Sequence, residues 1–334
     1  SVTGVQTCAL PIYEIEIVDS VASMAYVGET PWHGLGTKVP ADCTPAQMLE
    51  VAGLNWSVEK RPLFFETPEG PVLTDSRALV RSTDNKVLTV ISENWNPVQN
   101  IEAFEFFNDF VLAGDMEMHT AGSLRGGKMV WGMAKIKDSF ELFGGDRVEG
   151  YLLFSNPHEF GRSIDVRFTP IRVVCNNTLT MSLNSHAQYA VKVNHRSKFD
   201  GELVKETLGI AKERLEQYRE SALFLGQKRY NQETIVEYFN RVFPSMSKDE
   251  MKKVDITKSP ISRQAEEAMD VLYTQPGSSF AEGSWWQAFN TVTYMTDHTL
   301  GRSQDSRLTS AWYGTNRVRK ERALELAKEY AAVA

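Results

Sequence analysis

No apolar run in the 334-residue chain approaches the roughly 18 residues that a membrane-spanning helix needs, which excludes that class. No positively charged segment followed by an apolar core is present, so no secretory signal peptide is expected. The three cysteines, Cys8, Cys43 and Cys175, have no metal-type spacing, and a sparse, odd count fits a reducing cytosol. His33, His119, His158, His186, His195 and His298 include no i,i+3 or i,i+4 pair, so no metal site is expected. A nucleophile elbow of the G-x-S-x-G type is missing too, as are internal repeats and low-complexity tracts. These absences leave a cytoplasmic globular protein with no expected cofactor.

What is present begins with an uneven charge. The hydrophobic fraction of 42% and the charged fraction of 24% are those of an ordinary globular chain with a net charge of −7. Residues 120–199 hold 11 Lys/Arg against 6 Asp/Glu, a +5 block in a chain whose remainder carries −12. A basic segment in an acidic protein suits a local anion-binding face. The alternative is a solvated sheet face that keeps the protein soluble.

The strongest pattern runs from Arg162 to Leu183. Ile164, Val166 and Phe168 alternate with Asp165, Arg167 and Thr169, as one half-buried strand requires. After Pro170 the apolar set shifts to Ile171, Val173 and Cys175. A proline cannot donate to a ladder, so the shift predicts a bulge near Thr169-Pro170 that puts Arg167 and Arg172 on one polar face. Cys175 falls on the apolar parity, where a structural thiol is expected, and Asn176-Asn177 ends the strand.

The remaining chain reads in order. Residues 1–12 differ in character from the rest and read as a non-native leader. Ser23 to Pro40 interleaves glycine, proline and aromatics without period, which predicts an ordered loop anchored by Tyr26 and Trp32. Gly34-Leu-Gly36 lacks the third glycine of a dinucleotide fingerprint. Thr44-Pro45-Ala46-Gln47 is a helix start with a capping box, and Gly53 is its stop. Trp56–Phe65 reads as a strand, and Arg77–Val80 with Val87–Ile91 as a hairpin. Ile101–Leu112 reads as one helix whose Ile101, Phe104, Phe107 and Val111 share a buried face, widened by Phe106 and Phe110. Met116–Leu124, Lys128–Ile136 and Val148–Ser155 then precede the Arg162 stretch in an antiparallel meander. Asn184–Asp200 is a basic loop or linker. Helices follow over 201–225, 235–243, from a Ser259 cap with Pro260, over 285–300 and over 318–332. The expected fold class is α+β: a mainly β region over 13–183 with a helix against its sheet, a linker over 184–200, and an α-helical region over 201–334.

Three constellations carry candidate chemistry. Gly122 to Met129 approximates a phosphate loop, but Met129 replaces the metal-holding hydroxyl and a strand follows where a helix is required. His33, Arg172 and Asn176 are the residues around which an enzyme pocket of unknown reaction is conceivable. The third is electrostatic: Arg125, Lys128, Arg162, Arg167, Arg172, Lys192, Arg196 and Lys198 suit several phosphates of a single strand, with Trp131, Tyr151 and Tyr189 as stacking aromatics. Against it stands pairing of Arg167 and Arg172 with Asp165 and helix acids.

Three segments carry a resemblance: Met24-Ala-Tyr-Val-Gly-Glu-Thr-Pro-Trp-His-Gly-Leu-Gly36, Asn96-Pro-Val-Gln-Asn-Ile-Glu-Ala-Phe104, and Arg167-Phe-Thr-Pro-Ile-Arg-Val-Val-Cys-Asn-Asn-Thr-Leu179. Together they resemble an uncharacterised phage/plasmid-related protein family, a domain of unknown function. The resemblance implies a mobile-element setting and assigns no reaction. At the level of fold analogy, the meander with its helix also resembles the core of phage single-strand annealing proteins. The function expected is nucleic-acid binding, on single-stranded DNA, in replication or recombination, by a non-membrane protein that forms a homo-oligomer. An enzyme, or a non-catalytic virion or host-interaction protein, is the alternative.

Overall fold

The computed structural model describes residues 15–31, 34–172, 177–178, 190–208, 211–245, 261–301, 307, 310–311 and 314–334. The leader expected over 1–12, Trp32, His33, Cys175, Asn176, His186, Tyr189 and the Ser259-Pro260 cap lie outside these residues.

Chain order begins with a short hairpin, β1 (Ile17–Val18) and β2 (Val21–Ala22), then β3 (Met24–Val27) and β4 (Thr37–Val39). Helix α1 (Pro45–Val51) starts at Thr44, whose side chain accepts from Gln47 N at 3.2 Å while Gln47 returns the bond to Thr44 N at 2.9 Å. Such a box satisfies two donors that a helix start otherwise leaves open. A three-stranded sheet follows: β5 (Val58–Thr67), β6 (Gly70–Arg81) and β7 (Val87–Ser92), in that order. Helices α2 (Asn100–Glu105) and α3 (Asn108–Leu112) lead to the meander β8 (Met116–Leu124), β9 (Met129–Leu142), β10 (Asp146–Pro157) and β11 (Ile164–Arg172). Strands β12 (Asn177–Thr178) and β13 (Ala190–Val193) both pair with β11. The helices that follow are α4 (Gly201–Leu208), α5 (Ala211–Gln227), α6 (Gln232–Val242), α7 (Arg263–Val271), α8 (Trp285–Tyr294) with a π turn over Met295–Thr299, and α9 (Thr315–Val333).

The main sheet runs β12-β11-β10-β9-β8-β3-β4, with β13 beside β11. Alternation assigns its faces. Val130, Ala134, Ile136, Leu152, Phe154, Ile164, Val166 and Phe168 share a core with Phe104, Phe106 and Phe107 of the α2–α3 segment and with Tyr218 and Ala222 of α5. Gly132 lies on this face because a Cβ there would come within 3.2 Å of Phe107 and 3.3 Å of Phe104. That core continues without a break to Phe239, Trp285 and Ala327 among the C-terminal helices. Trp286 Nε1 donates to Asp146 Oδ2 at 3.0 Å and so joins α8 to the start of β10. A second cluster covers the other sheet face: Ile15, Met24, Leu124, Met129, Trp131, Met133, Tyr151 and Leu153.

The mixed, largely antiparallel α+β class is what the sequence patterning predicts, and several details differ. The expected bulge at Thr169-Pro170 is absent from the β10–β11 ladder, whose register runs unbroken from Val148↔Arg172 to Ser155↔Asp165. Irregularities fall instead at His119 between β8 and β9, and at Gly150 between β10 and β9. The helix expected over Ile101–Leu112 is two short helices, and Ile101 is 58% exposed while Phe104, Phe106 and Phe107 are buried. Three neighbouring phenylalanines cannot all share one helical stripe, so the chain turns between them. Ser23–Pro40 holds two strands, because β3 joins β8 and β4 lies parallel to β3. Gly36, at φ +103, permits that approach: a Cβ there would sit 3.1 Å from Met24 O and 3.2 Å from the Tyr26 ring. Within the basic loop expected over 184–200, Ala190–Val193 forms β13. The third C-terminal helix is capped by Ser262, whose hydroxyl accepts from Ala265 N at 3.0 Å.

Candidate nucleic-acid interface

Four turns meet at one end of the main sheet: residues 82–86, 125–128, 157–163 and 194–198. Each junction between them rests on a contact. Lys86 Nζ donates to Gly126 O at 2.9 Å. Arg125 Nη1 lies 2.9 Å from Glu159 Oε2, and Arg162 Nε lies 3.0 Å from the same oxygen. His158 N donates to Lys128 O at 2.9 Å. The Ile164↔Val193 pair sets the last turn beside the third. These turns carry six cations, Lys86, Arg125, Lys128, Arg162, Arg196 and Lys198, against two acids, Asp84 and Glu159. Arg125 adopts φ +54 at the tip of the β8–β9 hairpin, with glycines at the next two positions also at positive φ. Its Nε is buried without a partner. Phe160, 61% exposed, projects from the third turn.

Two acids, the buried Glu16 and the exposed Asp84, are bound to one arginine at this end. Arg81 Nη1 lies 2.6 Å from Glu16 Oε1, Arg81 Nη2 lies 2.6 Å from Asp84 Oδ2, and Ser123 Oγ donates to Glu16 Oε2 at 2.8 Å. The hydrogen bond to Asp84, then that to Glu16, hold the Arg81 guanidinium firmly charged. The same bond to Arg81 pulls the Asp84 carboxyl well below the usual carboxylate range. The pair locks the 82–86 turn of the three-stranded sheet to the main sheet.

Beneath the turns, one extended segment is gripped at alternate residues. His195 Nδ1 bonds Asn96 O at 3.0 Å, Asn156 Nδ2 donates to Val98 O at 2.9 Å, and His158 Nε2 bonds Asn100 Oδ1 at 2.9 Å. The period of two is that of an extended chain presenting one face. Gln99, facing the other way, accepts from Val58 N and donates to Val58 O. Asn100 Nδ2 donates to the carbonyls of Leu54 and Trp56. His195 stacks on Trp95 at 4.0 Å, and His158 lies against Trp56 at 5.3 Å. Burial, reinforced by His195, pushes the fully buried His158 down to about 3, and burial lowers His195 as well. Both rings are therefore neutral at neutral pH. The Asn96–Phe104 segment is thus a keystone that holds four elements in position under the basic turns.

The eight cations singled out in the sequence separate into groups. Arg125, Lys128 and Arg162 come together, and Arg196 and Lys198 lie on the adjoining turn, exposed. Lys192 is exposed on β13, in register with Asp165. Arg167 lies within β11 and is buried, with Nε 2.6 Å and Nη2 2.5 Å from the two oxygens of Asp165. Arg172 ends β11, ten residues beyond Arg162, so it stands roughly 30 Å along the strand from the turns. Trp131 and Tyr151 are 2% and 4% exposed and belong to the second apolar cluster, so neither offers a face for stacking. Phe160 and Lys86 were missed because a lone aromatic and a lone lysine in turns carry no periodic signal. The Gly122–Met129 segment is a hairpin, as its β pattern requires.

A second titratable group lies on the sheet, next to both ladder irregularities. Tyr151 Oη donates to Glu149 Oε2 at 2.8 Å, Lys135 Nζ lies 2.7 Å from Glu149 Oε1, and His119 meets the Tyr151 ring edge at 4.9 Å. Burial, then Lys135, push His119 down to about 4. Among the described residues no group of three or more His, Cys, Asp or Glu is placed to hold a metal ion, and no helix is long and apolar enough to cross a membrane.

Comparison with curated proteins and with solved structures returns no match. A family described as a domain of unknown function (DUF932) matches residues 87–312, more than half of the chain. That span holds the basic hairpin, the keystone segment, the meander and most of the helices, and by this match the chain belongs to the DUF932 family.

Proposed function

We propose that this protein binds single-stranded DNA through the basic turn end of its main sheet, acting in the cytoplasm in replication or recombination of a phage or plasmid. The observation that carries the reading is the gathering of six cations from four turns around one exposed aromatic, Phe160, with only Asp84 and Glu159 among them. A single strand offers phosphates to such cations and unpaired bases to such a ring. The keystone segment supports the reading, because turns held by a buried hydrogen-bonded scaffold lose little freedom on binding. The mobile-element setting rests on the resemblance of the three segments. Lys128, Arg162, Arg196 and the hairpin Arg125 would neutralise phosphates, and Phe160 would stack.

Fluorescence anisotropy with labelled single-stranded DNA over a salt series tests the proposal. Affinity should fall linearly with salt on logarithmic axes, with a slope of about −0.7 per phosphate neutralised. An absence of binding at low salt, or a slope near zero, would refute it.

A further inference from the structure

Arginines pair with acids in two ways in this molecule. Arg81 holds Asp84 by two bonds, Nε to Oδ1 at 2.9 Å and Nη2 to Oδ2 at 2.6 Å, and Arg167 holds Asp165 likewise, at 2.6 Å and 2.5 Å. Two parallel bonds are the strong form of the arginine–carboxylate pair. Glu159 is held differently. A single oxygen, Oε2, lies 2.9 Å from Arg125 Nη1 and 3.0 Å from Arg162 Nε. Neither approach has the alignment of a hydrogen bond, so Oε2 is buried with no hydrogen bond, and Arg125 Nε is buried with none either. A buried charged oxygen without a directed bond is a costly arrangement, and here it is kept between two cations.

The backbone around this contact is fixed. Arg125 stands at the tip of the β8–β9 hairpin at φ +54. The 157–163 turn is tied to the base of that hairpin by the Pro157↔Met129 pair and by His158 N, which donates to Lys128 O at 2.9 Å. The side chains, in contrast, reach the surface: 23% of Arg125, 28% of Glu159 and 42% of Arg162 is exposed. A glutamate side chain is long and rotatable, so its carboxylate can leave this place without moving either turn. Two guanidinium groups offer more donors than one carboxylate oxygen accepts. Phosphoryl oxygens match them, two to a fork.

We infer that Arg125 and Arg162 form a seat for phosphoryl oxygens, and that the Glu159 carboxylate occupies this seat until a phosphate displaces it. The source of the phosphate rests on the proposed function: under that reading it is the DNA strand, and the same seat accepts a free phosphate. Glu159 thereby sets the strength of the seat, because it competes with the ligand for the same two cations.

Anisotropy with labelled single-stranded DNA, run as a double-mutant cycle, tests the inference. Glu159→Gln should tighten binding about tenfold at constant salt, and Glu159→Ala by a similar factor, since both remove the competing carboxylate. Neither change takes a hydrogen bond from Oε2, so both chains should fold. In a chain that also carries Arg125→Ala and Arg162→Ala the gain should vanish, whereas a carboxylate that merely repels DNA would keep its effect there. Inorganic phosphate, compared with chloride at equal ionic strength, should raise the melting temperature of Glu159→Gln more than that of the unaltered chain. DNA binding that neither Glu159 variant tightens, with phosphate without effect, would overturn the inference and leave the proposed function standing. A gain that survives Arg125→Ala with Arg162→Ala would overturn it too. Phosphate that stabilises Glu159→Gln in a chain that binds no DNA would uphold the seat and overturn the DNA reading. Neither DNA binding nor a phosphate effect would overturn both.

Discussion

Strand β6 ends in two unlike environments. At Arg81 the strand enters a buried ion pair with Glu16, a bidentate contact with Asp84 and a cation–π contact with Trp56 at 5.3 Å. At Gly70 it ends in a ribbon whose large side chains face water. The first end is held by groups that are costly to separate once buried, so its turns are fixed in place. The second is held by a ladder alone and presents apolar groups that gain by finding cover. The first end is fixed by buried charge; the second leaves apolar groups in water.

The largest effect should come from breaking the rigid end. Arg81→Ala leaves Glu16, at 7% exposure, as an uncompensated buried carboxylate, and removal of one partner of a buried pair costs about 3–5 kcal/mol. Urea denaturation would read this as a fall in midpoint; a loss below about 1 kcal/mol would place the lock elsewhere.

Acid should loosen the same end next. His158 and His195 have folded-state values below that of an unfolded histidine, about 6.5. The unfolded chain therefore binds more protons than the folded one below that pH. Stability is fully present above about pH 6.5 and is lost as pH falls towards the lowered folded-state values, at up to about 1.4 kcal/mol per unit for each ring. Urea midpoints at descending pH check this, and His158→Gln should flatten the dependence. An unaltered pH profile in that variant would remove His158 from the scaffold.

Smaller still is the expected effect on DNA binding of Arg125→Ala combined with Arg162→Ala. The salt slope should fall by about 1.4, with Arg167→Lys leaving it unchanged because that residue is buried against Asp165. Equal effects from both variants would mean the sheet face, and not the turn end, meets the strand. The smallest effect on stability belongs to the ribbon: Phe64→Ser should shift the free energy of unfolding by no more than about 0.5 kcal/mol. A large loss there would mean the ribbon is part of the core and would dissolve the contrast between the two ends.

Much of the framework is legible in local pattern. The capping box at Thr44, the hairpin at Arg125-Gly126-Gly127, and the meander of β8 to β11 follow from turn chemistry and period-two alternation, which are properties of a few neighbouring residues. Strands β3, β4 and β13 escaped that reading because three or four residues do not establish a period, and their partners lie far away in sequence. The site was legible in part. The concentration of positive charge is in the sequence, but Arg125 and Arg162 share Glu159 through a fold contact, and Phe160 acquires its meaning only from the cations that other turns bring beside it.

The sequence by itself determined the α+β class, the strand-forming meander, the capped helix start at Thr44 and the basic block, since each depends on composition or on spacing within one element. Tertiary structure alone decided which arginines lie together. Arg167 and Arg162 are five residues apart, yet one is spent on Asp165 within the sheet and the other stands at the turn end. It also decided that Asn96, Val98 and Asn100 are gripped by His195, Asn156 and His158, and that β5 and β6 outrun β7. Those outcomes depend on which distant segments meet, and hydrogen bonds and burial across such distances leave no period in the chain.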